Sequence, residues 1–335
     1  MALSHKVPRD TGPTRSCSLF SVFPGHARAV AELVALSHKP LIVATGPVHP
    51  VAEEILGEIV VGDWRAHLGE VAALIVRGDA VVTADDIASA PHLRVIGRSG
   101  IGVDNVDLEA ARARGIPVVV APGAGARAVA EGAFVLALAL LKRLPELDRA
   151  VRESEWSFRD RADVRDLDGA TLGIVGYGHI GRELGELGRA AGMHVLAYDP
   201  HVEEANTPLD ALFENADVVS LHVPLDDSTR GLIGPELLAR AKPGLILVNT
   251  ARGGLVSSHE DLLRALESGR LGGVGLDVFD DEPPDPEQPL FDHPRVLVTP
   301  HALGLTRGSR EAVFRMMAEG VAAALRGEQP EHVAN

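Results

Sequence analysis

A single cysteine, Cys17, is all that the 335 residues contain. No intrachain disulfide can form, which fits a reducing cytoplasm. Aromatic residues make up only 4% of the chain. Its cores must therefore be filled by Val, Leu, Ile and Ala, the usual content of buried parallel sheets. Positive charge is also short: 32 Lys and Arg stand against 47 Asp and Glu, a formal net charge of −15. Such a surface repels phosphate backbones and anionic lipid, which argues against nucleic acid and membrane as partners. A small anion remains possible wherever arginines gather locally. No stretch reaches the ~18 uninterrupted apolar residues of a membrane span. The apolar run 133–141 is closed by Lys142 and Arg143 and reads as a buried helix. Lys6, Arg9 and Arg15 near the start are not followed by an apolar run of signal-peptide length. Residues 1–38, with their Pro, Ser and Gly, read as a flexible tail.

What is present is a regular alternation. Domains cluster near ~100–150 residues, so a chain of this length is expected to form two. Apolar residues at 46% and charged residues at 24% give a soluble globular balance. Strands are predicted over 40–44, 58–61, 73–76, 93–97 and 117–121, with helices such as 51–56 and 84–90 between them. A long helix is predicted over 126–154, broken or kinked at Pro145. The pattern then restarts. Strands are predicted over 170–175, 194–198, 218–222, 245–249, 273–278 and 296–298, with a helix over 181–191. A last helix is predicted from beyond Gly304 to about Leu325. Repeated β-α units with right-handed crossovers give the fold class: α/β, two doubly wound parallel-sheet (Rossmann or flavodoxin-like) domains with a cleft between them.

The strongest local motif is Gly176-Tyr-Gly178-His-Ile-Gly181. A lone GxGxxG is weak, but this one follows a predicted strand and opens a predicted helix. The next strand ends in Asp199, about 20 residues on, as a dinucleotide fingerprint requires. Gly176 permits the tight turn, Gly178 lets a pyrophosphate approach the backbone, and Gly181 lets the helix pack closely on the strand. The free N–H groups of the helix N-terminus then face the phosphates, with His179 and Ile180 in the turn. The Asp199 carboxylate is expected to accept from the ribose hydroxyls and to repel a 2′-phosphate, favouring NAD over NADP.

Four further segments complete the pattern: GRSGIGVDNVD (97–107), NTARGGLV (249–256), GLDVFDDEPP (275–284) and TPHALGLT (299–306). Together with LGIVGYGHIG they resemble the D-isomer-specific 2-hydroxyacid dehydrogenase family, most closely the catalytic portion of D-3-phosphoglycerate dehydrogenases, over residues 39–327. The resemblance implies a split architecture. Residues 39–121 and 304–335 would form the substrate-binding domain, and residues 122–303 the NAD-binding Rossmann domain. It implies hydride transfer between NAD and a small anionic 2-hydroxy or 2-oxo acid, and a homodimer built through the cofactor domain.

Three residues match catalytic positions: His301 as general acid/base, Glu282 as its carboxylate partner, and Arg252 as the arginine that holds the substrate. Elementary chemistry agrees. Hydride leaves carbon only if the hydroxyl proton leaves too, a task for a group that titrates near neutral pH. A planar guanidinium offers paired donors to a carboxylate. Asp277 matches an aspartate near the nicotinamide amide. His222, Pro224, Thr229 and Thr250 match positions lining the nucleotide. Ser99, Gly100, Ile101 and Gly102 match the loop that receives the substrate carboxylate. Arg77 and Arg98 match arginines near the substrate in phosphoglycerate dehydrogenases and suit a second anion such as phosphate or phosphonate.

The departures lie on the substrate side. Gly125 and Ala126 stand where the family usually carries Asn and then Ser or Thr, Gly78 where a serine usually follows the arginine, and Ile101 where phosphoglycerate dehydrogenases tend to carry threonine. The extra C-terminal regulatory domains of many phosphoglycerate dehydrogenases are expected to be missing, since the sequence stops at Asn335. Two other functions stay open: a glyoxylate or hydroxypyruvate reductase, and an NAD-sensing interaction protein similar to the C-terminal binding protein corepressors.

Overall fold

The first sheet is assembled from short, almost wholly apolar runs. Its strands are β1 (Leu41–Ala44), β2 (Val60–Val61), β3 (Val71–Val76), β4 (Val95–Arg98) and β5 (Val118–Val119). They lie side by side in the order β2-β1-β3-β4-β5, all parallel. All six residues of the central β3 are buried, as a strand covered on both faces requires. The computed structural model describes residues 39–78, 80–100 and 102–335. The predicted tail 1–38, with Cys17, and the expected site residue Ile101 lie outside them.

Helices α1 (Pro50–Leu56), α2 (Ala84–Ala88) and α3 (Leu108–Ala113) cross over between these strands. α2 begins with a reciprocal cap between Thr83 and Asp86, which satisfies two orphan donors at once. The other face is covered from the far end of the chain. α10 (Arg307–Leu325) lays Phe314, Met317, Ala318 and Val321 against Ile42, Ala44 and Val95. A Cβ on Gly97 would stand 2.6 Å from Met317 Sδ, so glycine in β4 sets how closely that helix seats. The last residues return as well: Ala334 N–H donates to Val118 O at 2.9 Å along the edge of β5.

The second sheet holds six parallel strands: β6 (Thr171–Val175), β7 (His194–Tyr198), β8 (Val218–Leu221), β9 (Leu245–Asn249), β10 (Leu271–Leu276) and β11 (Val296–Val298). Their order is β11-β10-β9-β8-β6-β7. The direction of winding reverses between β6 and β8, and an open α/β sheet binds its ligand at the carboxyl end of such a switch point. α6 (His179–Ala190) follows β6; α7 (Leu209–Asn215), α8 (Pro235–Arg240) and α9 (His259–Glu267) lead into β8, β9 and β10, and a single 3-10 turn (Pro289–Asp292) leads into β11. Among the described residues no helix is long and apolar enough to cross a membrane.

The expected long helix is two helices, α4 (Ala126–Leu141) and α5 (Leu144–Arg152). The break precedes Pro145. Arg143 turns into the left-handed region at φ 49° and its side chain binds Glu146, while Pro145 sits in the first turn of α5, where its missing N–H costs nothing. The apolar face of α4 is met within the chain: Leu136, Ala137 and Leu140 are buried, with α4 packed on β9, β10 and α6 and with Leu136 and Leu140 against Gly275 and Gly273 of β10.

Candidate active site

Both sheets carry their candidate residues just beyond the carboxyl ends of their strands. Gly176 follows β6, His222 follows β8, Thr250 and Arg252 follow β9, Asp277 follows β10, and His301 lies past β11. In the other sheet Arg77 follows β3, and Arg98 ends β4.

The glycine turn has the steric logic its spacing predicts. Gly176 has φ 94°, and a Cβ there would lie 2.6 Å from the carbonyl carbon of His222. A Cβ on Gly181 would collide with Gly176 O. A Cβ added at Gly178 would meet nothing within 4 Å, so the space beside this backbone is open to a ligand, at the start of α6 with its unpaired first-turn N–H groups. His179, beside it, is exposed, and Ile180 is half-buried. Asp199 Oδ2 accepts from Tyr177 N–H at 2.9 Å and Oδ1 from His201 N–H at 2.9 Å. Each oxygen keeps a further lone pair, beside a groove of about 590 Å³ lined by Tyr198, Pro200, Ala205 and Thr207.

Two buried polar atoms here lack a partner among the described residues: Thr250 Oγ1 and His222 Nδ1. Buried polar groups are nearly always paired, so these are places for a ligand to complete. With the open backbone at Gly178 and the carboxylate of Asp199, the residues fit a dinucleotide. His222 Nε2 already shares a 2.9 Å hydrogen bond with Ser220 Oγ, and burial pushes its imidazole down to about 3. It is a neutral ring at any working pH. Thr229 Oγ1 donates to Pro224 O at 2.7 Å and accepts from Asp226 N–H, closing the loop after β8.

The His301 ring meets Glu282 Oε2 at 2.8 Å through Nδ1, and Glu282 Oε1 accepts from Phe279 N–H at 3.1 Å. A carboxylate can only accept, so Nδ1 carries the hydrogen and Nε2 is left for chemistry. His301 itself has φ 49°, a conformation a side chain adopts only when its surroundings fix it. Asp277 fixes it. Buried at 3% exposure, its Oδ1 accepts from Thr299 Oγ1 at 2.6 Å and Ala302 N–H at 2.9 Å, and its Oδ2 from Leu303 N–H at 3.2 Å. The carboxylate expected near the nicotinamide thus holds the turn that carries His301.

Arg252 is set by Asn249. That fully buried amide donates to Arg252 O at 2.7 Å and accepts from Ala251 N–H at 3.0 Å. Gly253 must be glycine, since a Cβ would collide with the carbonyl carbon of Phe279. The guanidinium gives Nη1 to Ala251 O at 2.7 Å and Nη2 to Asp104 Oδ1 at 2.9 Å, and lies directly on Gly102. Ser99 N–H and Gly100 N–H are already spent on Val76 O and Arg98 O. A carboxylate at this loop would draw on other donors, Arg252 first among them.

Arginines accumulate on the same side. Arg98 Nε donates to Asn105 Oδ1 at 3.1 Å; burial, with Arg252 and Arg77 nearby, depresses its pKa despite Asp104. Arg77 stacks over the Phe314 ring at 5.3 Å, donates to Pro47 O, and keeps a buried Nε with no partner among the described residues. Burial and the charge of Arg310 lower its pKa. Arg310 lies one helical turn before Phe314 on α10, hence on the same face.

Sequence patterning does not single out Asp104, Asn249, Gly253 or Arg310. The glycine pair after Arg252 is a local sign of close backbone approach. Arg310 has no such sign, because it reads as one more charge on a surface helix.

Residues 134–302 match the D-isomer specific 2-hydroxyacid dehydrogenase, NAD binding domain. The chain is 38% identical over 314 residues to a D-3-phosphoglycerate dehydrogenase of Methanocaldococcus jannaschii, covering 88% of this chain and 59% of the relative. It is 42% identical over 239 residues to a hydroxypyruvate reductase of Thermotoga maritima, covering 69% of this chain and 78% of the relative. The crystal structure of the TT0316 protein from Thermus thermophilus superposes with a TM-score of 0.80 at 34% identity, over 88% of this chain and 99% of that one. The chain spans less than two thirds of the length of the first D-3-phosphoglycerate dehydrogenases it matches. On these similarities, and on a glycine turn and strand-end residues built as described, the chain belongs to the D-isomer specific 2-hydroxyacid dehydrogenase family, with its NAD-binding domain in the six-stranded half.

Proposed function

We propose that the chain is an NAD-dependent D-2-hydroxyacid dehydrogenase that also runs in reverse as a 2-oxoacid reductase. The observation that carries this reading is the 2.8 Å contact between His301 Nδ1 and Glu282 Oε2, on the sheet that also bears the glycine turn. In oxidation the neutral His301 ring takes the hydroxyl proton at Nε2. In reduction the imidazolium returns it to the carbonyl oxygen. The bound nicotinamide supplies or accepts the hydride. Glu282 holds the ring orientation, and Arg252 offers paired donors to the substrate's carboxylate.

We further propose that the substrate carries a second anion, phosphate or phosphonate. Support comes from Arg77, Arg98 and Arg310, whose mutual repulsion in a protein of net charge −15 calls for a counter-anion. The similarity to a hydroxypyruvate reductase favours a second reading, a substrate without that group. An NADH-consumption screen over 2-oxo acids, with and without phosphate or phosphonate, decides between them. No turnover on any 2-oxo acid would refute both. NAD is preferred to NADP on the strength of Asp199, and Asp199→Ala should erode the preference; equal affinity of the parent for both cofactors would overturn that assignment.

A cytoplasmic homodimer completes the proposal. Val135, Leu144, Val151 and Trp156 are 58–66% exposed along α4, α5 and the turn beyond, an apolar strip suited to a second copy. A monomeric mass by light scattering at micromolar concentration would refute it.

A further inference from the structure

The contact between Arg252 and Asp104 joins the carboxyl ends of the two sheets. Arg252 stands after β9 of the six-stranded sheet, Asp104 in the loop after β4 of the five-stranded one. The Asp104 side chain is 59% exposed, and an ordinary surface ion pair of that kind contributes little. Three observations set this one apart. Its neighbour Asn105 is pinned, donating to Gly78 O at 3.1 Å and Ala80 O at 2.8 Å while accepting from Arg98. The loop therefore holds Asp104 in place. The guanidinium it meets rests on Gly102, where any Cβ would collide with it, so the seat for Arg252 is shaped in the backbone. And Asp104 serves two cations: against the cost of desolvation, the hydrogen bond and charge of Arg252 and the charge of Arg98 hold its carboxyl below the usual range.

We propose that Asp104 is the positioning residue for Arg252, so that seating residues 102–107 against the six-stranded sheet and assembling the substrate-binding fork are one event. The donor count supports this. A guanidinium has five N–H groups; one goes to Ala251 O and one to Asp104. The others stay available to a substrate carboxylate in an orientation Asp104 dictates. Without Asp104, Arg98 and Arg252 would face each other unscreened, and repulsion would push the fork away from Arg98.

The inference rests on reading Arg252 as the substrate arginine, and the test separates the two. Asp104→Ala should lower kcat/KM for a 2-oxo acid by about 10- to 100-fold, the range of a lost charge-assisted hydrogen bond. NADH affinity and thermal midpoint should stay unchanged. Asp104→Asn, whose amide oxygen still accepts, should recover part of the loss. In an Arg252→Ala background Asp104→Ala should cost nothing more, because a residue acting through another is silent once that other is gone. Oxalate binding to the NADH-loaded protein gives the same comparison without turnover: Asp104→Ala should weaken oxalate and leave NADH alone. Multiplicative losses in the double variant, or a fall in NADH affinity or midpoint in step with activity, would overturn the proposal. So would an Asp104→Ala protein with unaltered kcat/KM and oxalate affinity. A parent that turns over no 2-oxo acid yet shows the oxalate pattern would keep Asp104 as the positioning residue and sink the dehydrogenase reading.

Discussion

At the carboxyl end of the six-stranded sheet most polar side chains already have protein partners, while at the end of the five-stranded sheet the charges are only partly matched. Asp277 holds the His301 turn with both oxygens, Asn249 clamps the loop of Arg252, and Thr229 closes the loop after β8. On the other side Arg77 keeps a buried nitrogen without a partner and faces Arg310. The first arrangement is a finished mould, whose few open groups, Thr250 Oγ1 and His222 Nδ1, wait on one ligand. The second is an electrostatic field that different small anions can satisfy. A family whose members share a cofactor and differ in substrate needs that division: rigid geometry where the ligand is constant, adjustable charge where it varies.

The largest expected effect separates chemistry from cofactor binding. His301→Ala should slow turnover by about 100- to 10,000-fold, the usual range for a lost general acid/base. NADH should bind as before, because the glycine turn after β6 is untouched. Parallel loss of turnover and of NADH affinity in a fluorescence titration would mean that His301 belongs to the mould. Glu282→Gln tests the same residue from behind. It keeps the shape and removes the charge that steadies an imidazolium. Reduction should therefore fail at a lower pH than in the parent, with less damage than His301→Ala. A rate profile superimposable on that of the parent would remove Glu282 from the mechanism.

The field on the other side should break more selectively. Arg77→Met and Arg310→Met should each weaken a phosphorylated 2-oxo acid by about tenfold or more and leave the same compound without phosphate nearly unaffected. Arg310 has the smaller expectation, since it is exposed and reaches the site only beside Arg77. Equal effects on both compounds would make these residues structural and leave the substrate without a second anion.

This contrast also explains what could be read from the sequence. The cofactor side is legible because its constraints are steric and local. Gly176, Gly178 and Gly181 occupy one turn, and strands such as His194–Tyr198, Leu245–Asn249 and Val296–Val298 appear where periodicity puts them. The short helices α3, α7, α8 and α9 have 6 to 9 residues; helices of that length owe their form to tertiary packing more than to their own sequence, and the sequence pattern predicts none of these four individually, whereas it does predict α1 and α2. The break at Arg143 is masked by the proline two residues on, the more obvious breaker. On the proposed substrate side Arg77 and Arg98 are read only through the family resemblance, and no spacing rule links them to Arg310 far along the chain or matches Asp104 with Arg252. Only the fold brings them together, as it brings Asp104 to Arg252.

The smallest effect concerns two histidines that sequence makes look alike. His301 and His222 both follow strand ends, yet His301 is exposed beside a carboxylate, while His222 is half-buried with its Nδ1 shut from solvent and its Nε2 on a hydroxyl. Burial lowers His222 from 6.5 to about 3. Between those values the unfolded chain binds a proton that the folded protein refuses. The stabilisation is full above 6.5 and drains away as the pH falls toward 3. At about pH 5.5 the loss attributable to His222 is about 1.4 kcal/mol. The depressed carboxylates, such as Asp104, Asp217 and Asp261, start from an ordinary value of 3.8 and add their share only in stronger acid. His293 is also lowered, by burial and by Arg295, and acts in the same direction. A difference between proteins cancels it. Urea unfolding of the parent and of His222→Gln at about pH 7.5 and about pH 5.5 isolates the residue. Whatever the variant loses at both pH values by giving up the ring on Ser220, it should lose about 1.4 kcal/mol less between them than the parent does. Equal losses would mean that water reaches His222 in the folded protein, and the mould on the cofactor side would then be less closed than its hydrogen bonds imply.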